Sequence, residues 1–129
     1  MSYAASFKNL DTYRLSREIS FEIYNLSKSF PKEEQYSLTD QIRRSSRSVG
    51  AQIGESWGKR RYEKHFVTKL TDADAEQYET QHWLEVAFEC KYIDKKQFHE
   101  LISKCETLGK MINNMIQKSN KFCQNDKPG

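Results

Sequence analysis

Breakers are scarce in this chain, whose 129 residues include only two prolines and five glycines. An all-β domain needs turn residues about every ten positions, so this scarcity excludes one and favours long helices. Long apolar runs are missing too: nothing approaches the roughly 18 residues of a membrane span. Met1 to Ser6 has neither the basic nor the apolar region of a secretory leader. Cysteine is sparse: Cys90, Cys105 and Cys123 lie 15 and 18 residues apart, without a Cys-x-x-Cys pair. An odd number of cysteines at helical positions reads as reduced thiols in a cytoplasmic protein, not a disulfide frame or a zinc site.

Catalytic motifs are equally wanting. There is no Gly-x-Ser-x-Gly elbow, no cysteine with a histidine within a helical turn, and no Gly-x-Gly or Gly-Lys-Ser/Thr loop. A di-iron bundle requires two Glu-x-x-His motifs facing inward. Only Glu79-Thr80-Gln81-His82 fits, and its helical phase turns Glu79 and His82 away from Leu84. The expectation is a non-enzymatic protein without metal or other cofactor.

What is present is helical periodicity. Four amphipathic segments follow at about 10–29, 37–57, 62–90 and 94–122, with a frayed tail over 124–129. The first, capped by Asn9 or Asp11, carries the stripe Leu15, Ile19, Ile23, Leu26 and Phe30, and stops at Pro31. The second starts at Ser37, with Asp40 three residues on, and presents Leu38, Ile42, Ser45, Val49 and Ile53 as far as Gly58. In the third, Phe66, Leu70, Ala73, Leu84 and Phe88 flank a polar middle of Gln77 and Thr80. The fourth opens with an Asp94/Gln97 capping box. It then runs Phe98, Leu101, Cys105, Leu108, Ile112, Met115, Ser119 and Phe122 at alternating steps of three and four. Short links between long helices make neighbours antiparallel, so the expected fold is all-α: one antiparallel, up-and-down four-helix bundle spanning residues 1–129.

Charge is segregated along the chain. Residues 37–61 hold six basic and two acidic side chains, whereas 62–90 hold two basic and seven acidic. Arg43, Arg47, Gly50 and Gly54 share one face of the second helix. Small residues four apart permit close helix packing, so this face is either a second packing surface, and hence an oligomer interface, or a place where glycine is merely tolerated. The basic side chains Arg43, Arg44 and Arg47, with Lys59, Arg60 and Arg61 beyond the helix end, are candidates for phosphate contacts with RNA or DNA, assisted by the hydroxyls of Ser45 and Ser46. For Arg43 and Arg47 the expectation is instead pairing with the acidic third helix; for Lys59, Arg60 and Arg61 binding and simple solvation stay open.

Taken together, Phe30-Pro31, Leu38-Thr39-x-Gln41-Ile42-Arg43-Arg44-Ser45-Ser46 and Val49-x-Ala51-x-Ile53-x-Glu55 form a pattern. With Ala75-Glu76-x-x-Glu79-Thr80-Gln81-x-Trp83-Leu84 and Tyr92-Ile93, it resembles the bacterial 23S rRNA-intervening-sequence proteins, also called the S23 or four-helix bundle family. The resemblance spans about residues 7–120. Gln52, Gly54 and Ser56 depart from it, standing where the family usually has Asn, Ala and Gly. The family is similar to the accessory variability determinants of diversity-generating retroelements, pentameric barrel-like bundles that bind nucleic acid and a reverse transcriptase. The resemblance implies a ring-like homopentamer and a nucleic-acid-binding accessory role. An oligomeric scaffold that binds another protein is the alternative, and no membrane partner is implied.

Overall fold

A computed structural model describes residues 5–123; the expected tail at 124–129 lies outside the described residues. The described residues form five α-helices: α1 (Asp11–Ser27), α2 (Asp40–Gly58), α3 (Glu63–Glu89), α4 (Lys95–Gln117) and the single turn α5 (Ser119–Phe122). The first four form an antiparallel bundle, because early residues of each helix meet late residues of its neighbour. Arg43 of α2 reaches Ser27 of α1, and Gly50 lies against Tyr13 and Ser16. Arg44 meets Glu79 of α3 while Glu55 meets Lys69. Phe88 stacks on Phe98 at one end of α3, and Phe66 on Phe122 at the other. Thr12 donates to the Met115 thioether, which closes α1 on α4.

One hydrophobic core runs through all four helices, with Ile23, Ile42, Ile53, Phe66, Leu70, Leu84, Leu108 and Ile112 sealed from solvent. Burial of such side chains is the main source of stability in a bundle this size. The expected polar middle of α3 is also inside: Gln77 and Thr80 are 2% and 1% exposed. Thr80 approaches Ser45 of α2 at 3.0 Å, and Gln77 donates to Asp74 and accepts from Gln81.

Several local expectations are corrected. Neither Asn9 nor Asp11 caps α1. Leu10 occupies the cap position and buries its side chain, and a 3₁₀ turn over Phe7–Asn9, capped by Ser6, leads in. Small polar residues take the inner positions of α1, namely Thr12, Ser16, Ser20 and Ser27, leaving Leu15 and Leu26 half-buried beside them. Ala87, not Phe88, is the fully buried residue at the end of α3. Ser37 caps nothing. A 3₁₀ turn (Lys32–Glu34) and a π-helical turn (Gln35–Thr39) run straight into α2, and Ser37 donates to Glu34 instead. The wide turn lets consecutive residues Leu38 and Thr39 both bury, which a regular cap would not. The fourth segment is broken at Lys118. The bend lets Ser119 hydrogen-bond Glu63 while Phe122 and Cys123 close over the start of α3.

Candidate nucleic-acid interface

The seam between α1 and α2 is built from small side chains. Gly50 is buried there, and a β-carbon on it would lie 3.0 Å from the Ser16 hydroxyl. Within the subunit Gly50 packs against Tyr13 and Ser16 of α1, and Gly54 lies against Phe7 of the turn before it. Ser16, Ser20 and Ser46 each return their hydroxyl proton to a carbonyl three residues back, which keeps them compact and satisfied. Above this tight seam the helices leave a groove of about 630 Å³, walled by Phe7, Tyr13, Phe21, Tyr24, Arg17 and Arg47.

Tyr24 organises the charge. The Lys28 ammonium and the Arg43 and Arg47 guanidinium groups lie 4.8, 4.9 and 5.4 Å from its ring centre. Cations over an aromatic face are drawn by its quadrupole. Arg43 is fixed further, donating through Nε to Ser27 Oγ at 2.7 Å. One turn along, Arg17 donates to the Tyr13 hydroxyl at 2.8 Å. None of these four cations has a carboxylate partner among the described residues, whereas Arg44, Lys69 and Lys104 are all paired. Glu18 and Glu22 of α1 leave the patch alone because they turn to Lys104 of α4. Glu55, at the far end of the groove, is held by Lys69.

The basic residues named from sequence are therefore divided between surfaces. Arg43 and Arg47 do not pair with the acidic α3; they stack on Tyr24 of α1. Arg44 is the one that reaches α3, at 2.6 Å from Glu79 and 3.5 Å from Glu76. Its guanidinium, and then the Trp83 indole donating at 3.0 Å, hold the Glu79 carboxyl below the ordinary carboxylate range. Ser45 and Ser46 are buried, so their hydroxyls are not offered to phosphates. At the α2–α3 turn Arg60 folds over the Trp57 ring at 3.6 Å, with Lys59 and Arg61 exposed beside it. Arg17, Phe21, Tyr24 and Lys28 were not singled out from sequence. Their signal was legible: with Tyr13 they recur at steps of four, four, three and four, a stripe of aromatic and basic residues on one helical face.

Other candidate chemistry is occupied elsewhere. Glu79 is engaged by Arg44 and Trp83, and His82 is exposed, its ring meeting Trp83 edge-to-face. Among the described residues no three His, Cys, Asp or Glu side chains converge as metal ligands, and no helix is long and apolar enough to cross a membrane. Cys105 is buried, which pushes its thiol up to about 12.

A model of the 23S rRNA-intervening sequence protein family matches residues 8–114. The chain belongs to that family. A crystal structure of a protein with unknown function from the S23 ribosomal protein family of Bacteroides thetaiotaomicron superposes with a TM-score of 0.74. It is 28% identical over 82% of this chain and 98% of that one. No relative among curated proteins matches the chain. Two of the family-like stretches, Leu38–Ser46 and Ala75–Leu84, meet across the α2–α3 interface. Arg44 binds Glu79, Ser45 touches Thr80, and Trp83 braces Glu79 from behind. Those motif residues tie the bundle together, and the open basic patch lies on the opposite side of α2.

Proposed function

We propose that this protein is a non-enzymatic, oligomeric nucleic-acid-binding accessory protein that holds phosphate backbones on its α1–α2 face. The observation that carries the reading is the cluster of Arg17, Lys28, Arg43 and Arg47 around Tyr13 and Tyr24, free of carboxylates among the described residues. Cations kept apart from acids release counterions when they meet phosphates, and that release supplies most of the driving force for binding a phosphate backbone. Lys59 and Arg61, exposed past the end of α2, add further cations. Assembly into a closed ring, with five subunits favoured, multiplies the patch so that weak contacts add through avidity. A second reading, an oligomeric scaffold for another protein, draws support from Phe21, a large apolar side chain 65% exposed beside the groove.

A fluorescence-anisotropy titration of labelled RNA and DNA over a salt series tests the proposal, with light scattering on the same samples to give the mass. Affinity should fall steeply with salt and show little base preference. Replacing Arg17, Lys28 and Arg47 by Ala should flatten the salt slope by roughly 0.7–0.9 for each phosphate no longer neutralised, and by more than replacing Lys59 and Arg61. If neither ligand binds below about 0.1 M salt, where screening is modest, the nucleic-acid reading fails and protein binding replaces it. A clean 15.3 kDa monomer would refute the assembly.

A further inference from the structure

We infer that the α1–α2 groove takes a single strand of nucleic acid in preference to a duplex, with bases stacking on Phe21; the inference rests on the nucleic-acid reading above. Phe21 is 65% exposed, lies roughly parallel to Tyr24 (24° between ring planes) and lines the groove together with Arg17 and Arg47. Tyr24 is already covered by three cations, so Phe21 supplies the open ring face. An exposed aromatic ring set among unpaired cations suits a chain whose bases are splayed and whose phosphates track a basic surface. A duplex keeps its base faces stacked inside and offers Phe21 nothing to stack on.

The shape points the same way. Reading a duplex in its major groove calls for a projecting helix or ribbon, whereas Arg17 and Arg47 edge a recess between two packed helices. Arg17 of α1 and Lys28, which caps its end, lie eleven residues apart, about 16 Å at the helical rise. That length suits a few nucleotides, and a flexible strand can follow it while its bases turn into the groove. The serine hydroxyls at the groove floor are returned to their own helix. They read no base edge, and the preference is for strandedness and not for sequence.

The test compares unstructured oligouridine and oligothymidine of about 20 nucleotides with a duplex of the same length, all fluorescently labelled, against the full chain. Both single strands should bind more tightly than the duplex. Phe21→Ala should weaken single-strand binding about 5- to 150-fold, the range of one base–aromatic stack, and leave duplex binding and the salt slope unchanged. Phe21→Trp should retain single-strand binding and show indole quenching as bases stack. Phe21→Leu, which keeps apolar bulk without a π face, should behave like Ala. Equal or tighter duplex binding, or a Phe21→Ala variant with unaltered strand preference, overturns the inference and leaves the basic patch as a backbone site. Binding of one single strand but not the other overturns the sequence-tolerant stacking mode. Absence of binding to every probe removes the proposed function itself.

Discussion

Two helical glycines, Gly109 and Gly54, meet different surroundings. A β-carbon on Gly109 would sit 2.9 Å from Gln77 Nε2 and 3.4 Å from Asp74 Oδ1. Gln77 cannot yield freely, because it donates to Asp74 at 3.0 Å and accepts from Gln81 at 2.7 Å. Gly109→Ala should therefore destabilise the fold by about 1–3 kcal/mol, overpacking outweighing the gain in helix propensity. At Gly54 the nearest atoms are Phe7 ring carbons at 3.5 Å, an ordinary contact. Gly54→Ala should stabilise by up to about 1 kcal/mol. Urea denaturation of both variants measures this; shifts of the same sign would contradict the packing described. The buried polar pair Gln77 and Thr80 was legible in sequence from phase alone. The partners of Arg43, Arg44 and Arg47 were not. A helical wheel separates faces, but which neighbour lies on each face is a matter of bundle order and handedness.

Among the elements, one closed by near neighbours was readable, whereas others answer to residues far away in the chain. The Asp94/Gln97 capping box forms as expected, since both of its bonds lie within three residues. The π-helical entry to α2 depends on Glu34 accepting from Tyr92, 58 residues away, and on burying Leu38 and Thr39 together. The bend at Lys118 likewise answers to Glu63 and Phe66 of α3. The end of α3 is local in form but unusual in residue. Lys91 adopts φ 65°, with its N–H on Phe88 and the Tyr92 N–H on Ala87. This left-handed cap is normally glycine, because a β-carbon there costs roughly 1–2 kcal/mol. Lys91→Gly should accordingly stabilise by about 1 kcal/mol and raise the melting temperature by roughly 3–5 °C. A lower melting temperature would mean that the Lys91 side chain contributes more than its backbone costs.

In the molecule as a whole, the bundle sorts charge that the linear sequence only mixes. The first segment balances five basic against five acidic residues over 1–36, so composition alone marked it as neutral. Folding sends Glu18 and Glu22 of α1 toward α4 and leaves Arg17 and Lys28 beside α2. Arg44 and Lys69 are meanwhile consumed at the α2–α3 contact. What stays open is one face with cations, aromatic rings and a groove, half of which, Arg43 and Arg47, was named from sequence. The other half needed α1 placed against α2. Cross-linking tests this face most directly: a thiouridine-substituted single-stranded RNA is bound at low salt and irradiated, and the joined peptides are mapped by mass spectrometry. Cross-links should concentrate on Tyr13, Phe21 and Tyr24 of α1, with additional ones between Arg43 and Gly54 of α2. Cross-links confined to the Lys59–Tyr62 turn or to α3 and α4, with the α1 peptide unmodified, would contradict the account.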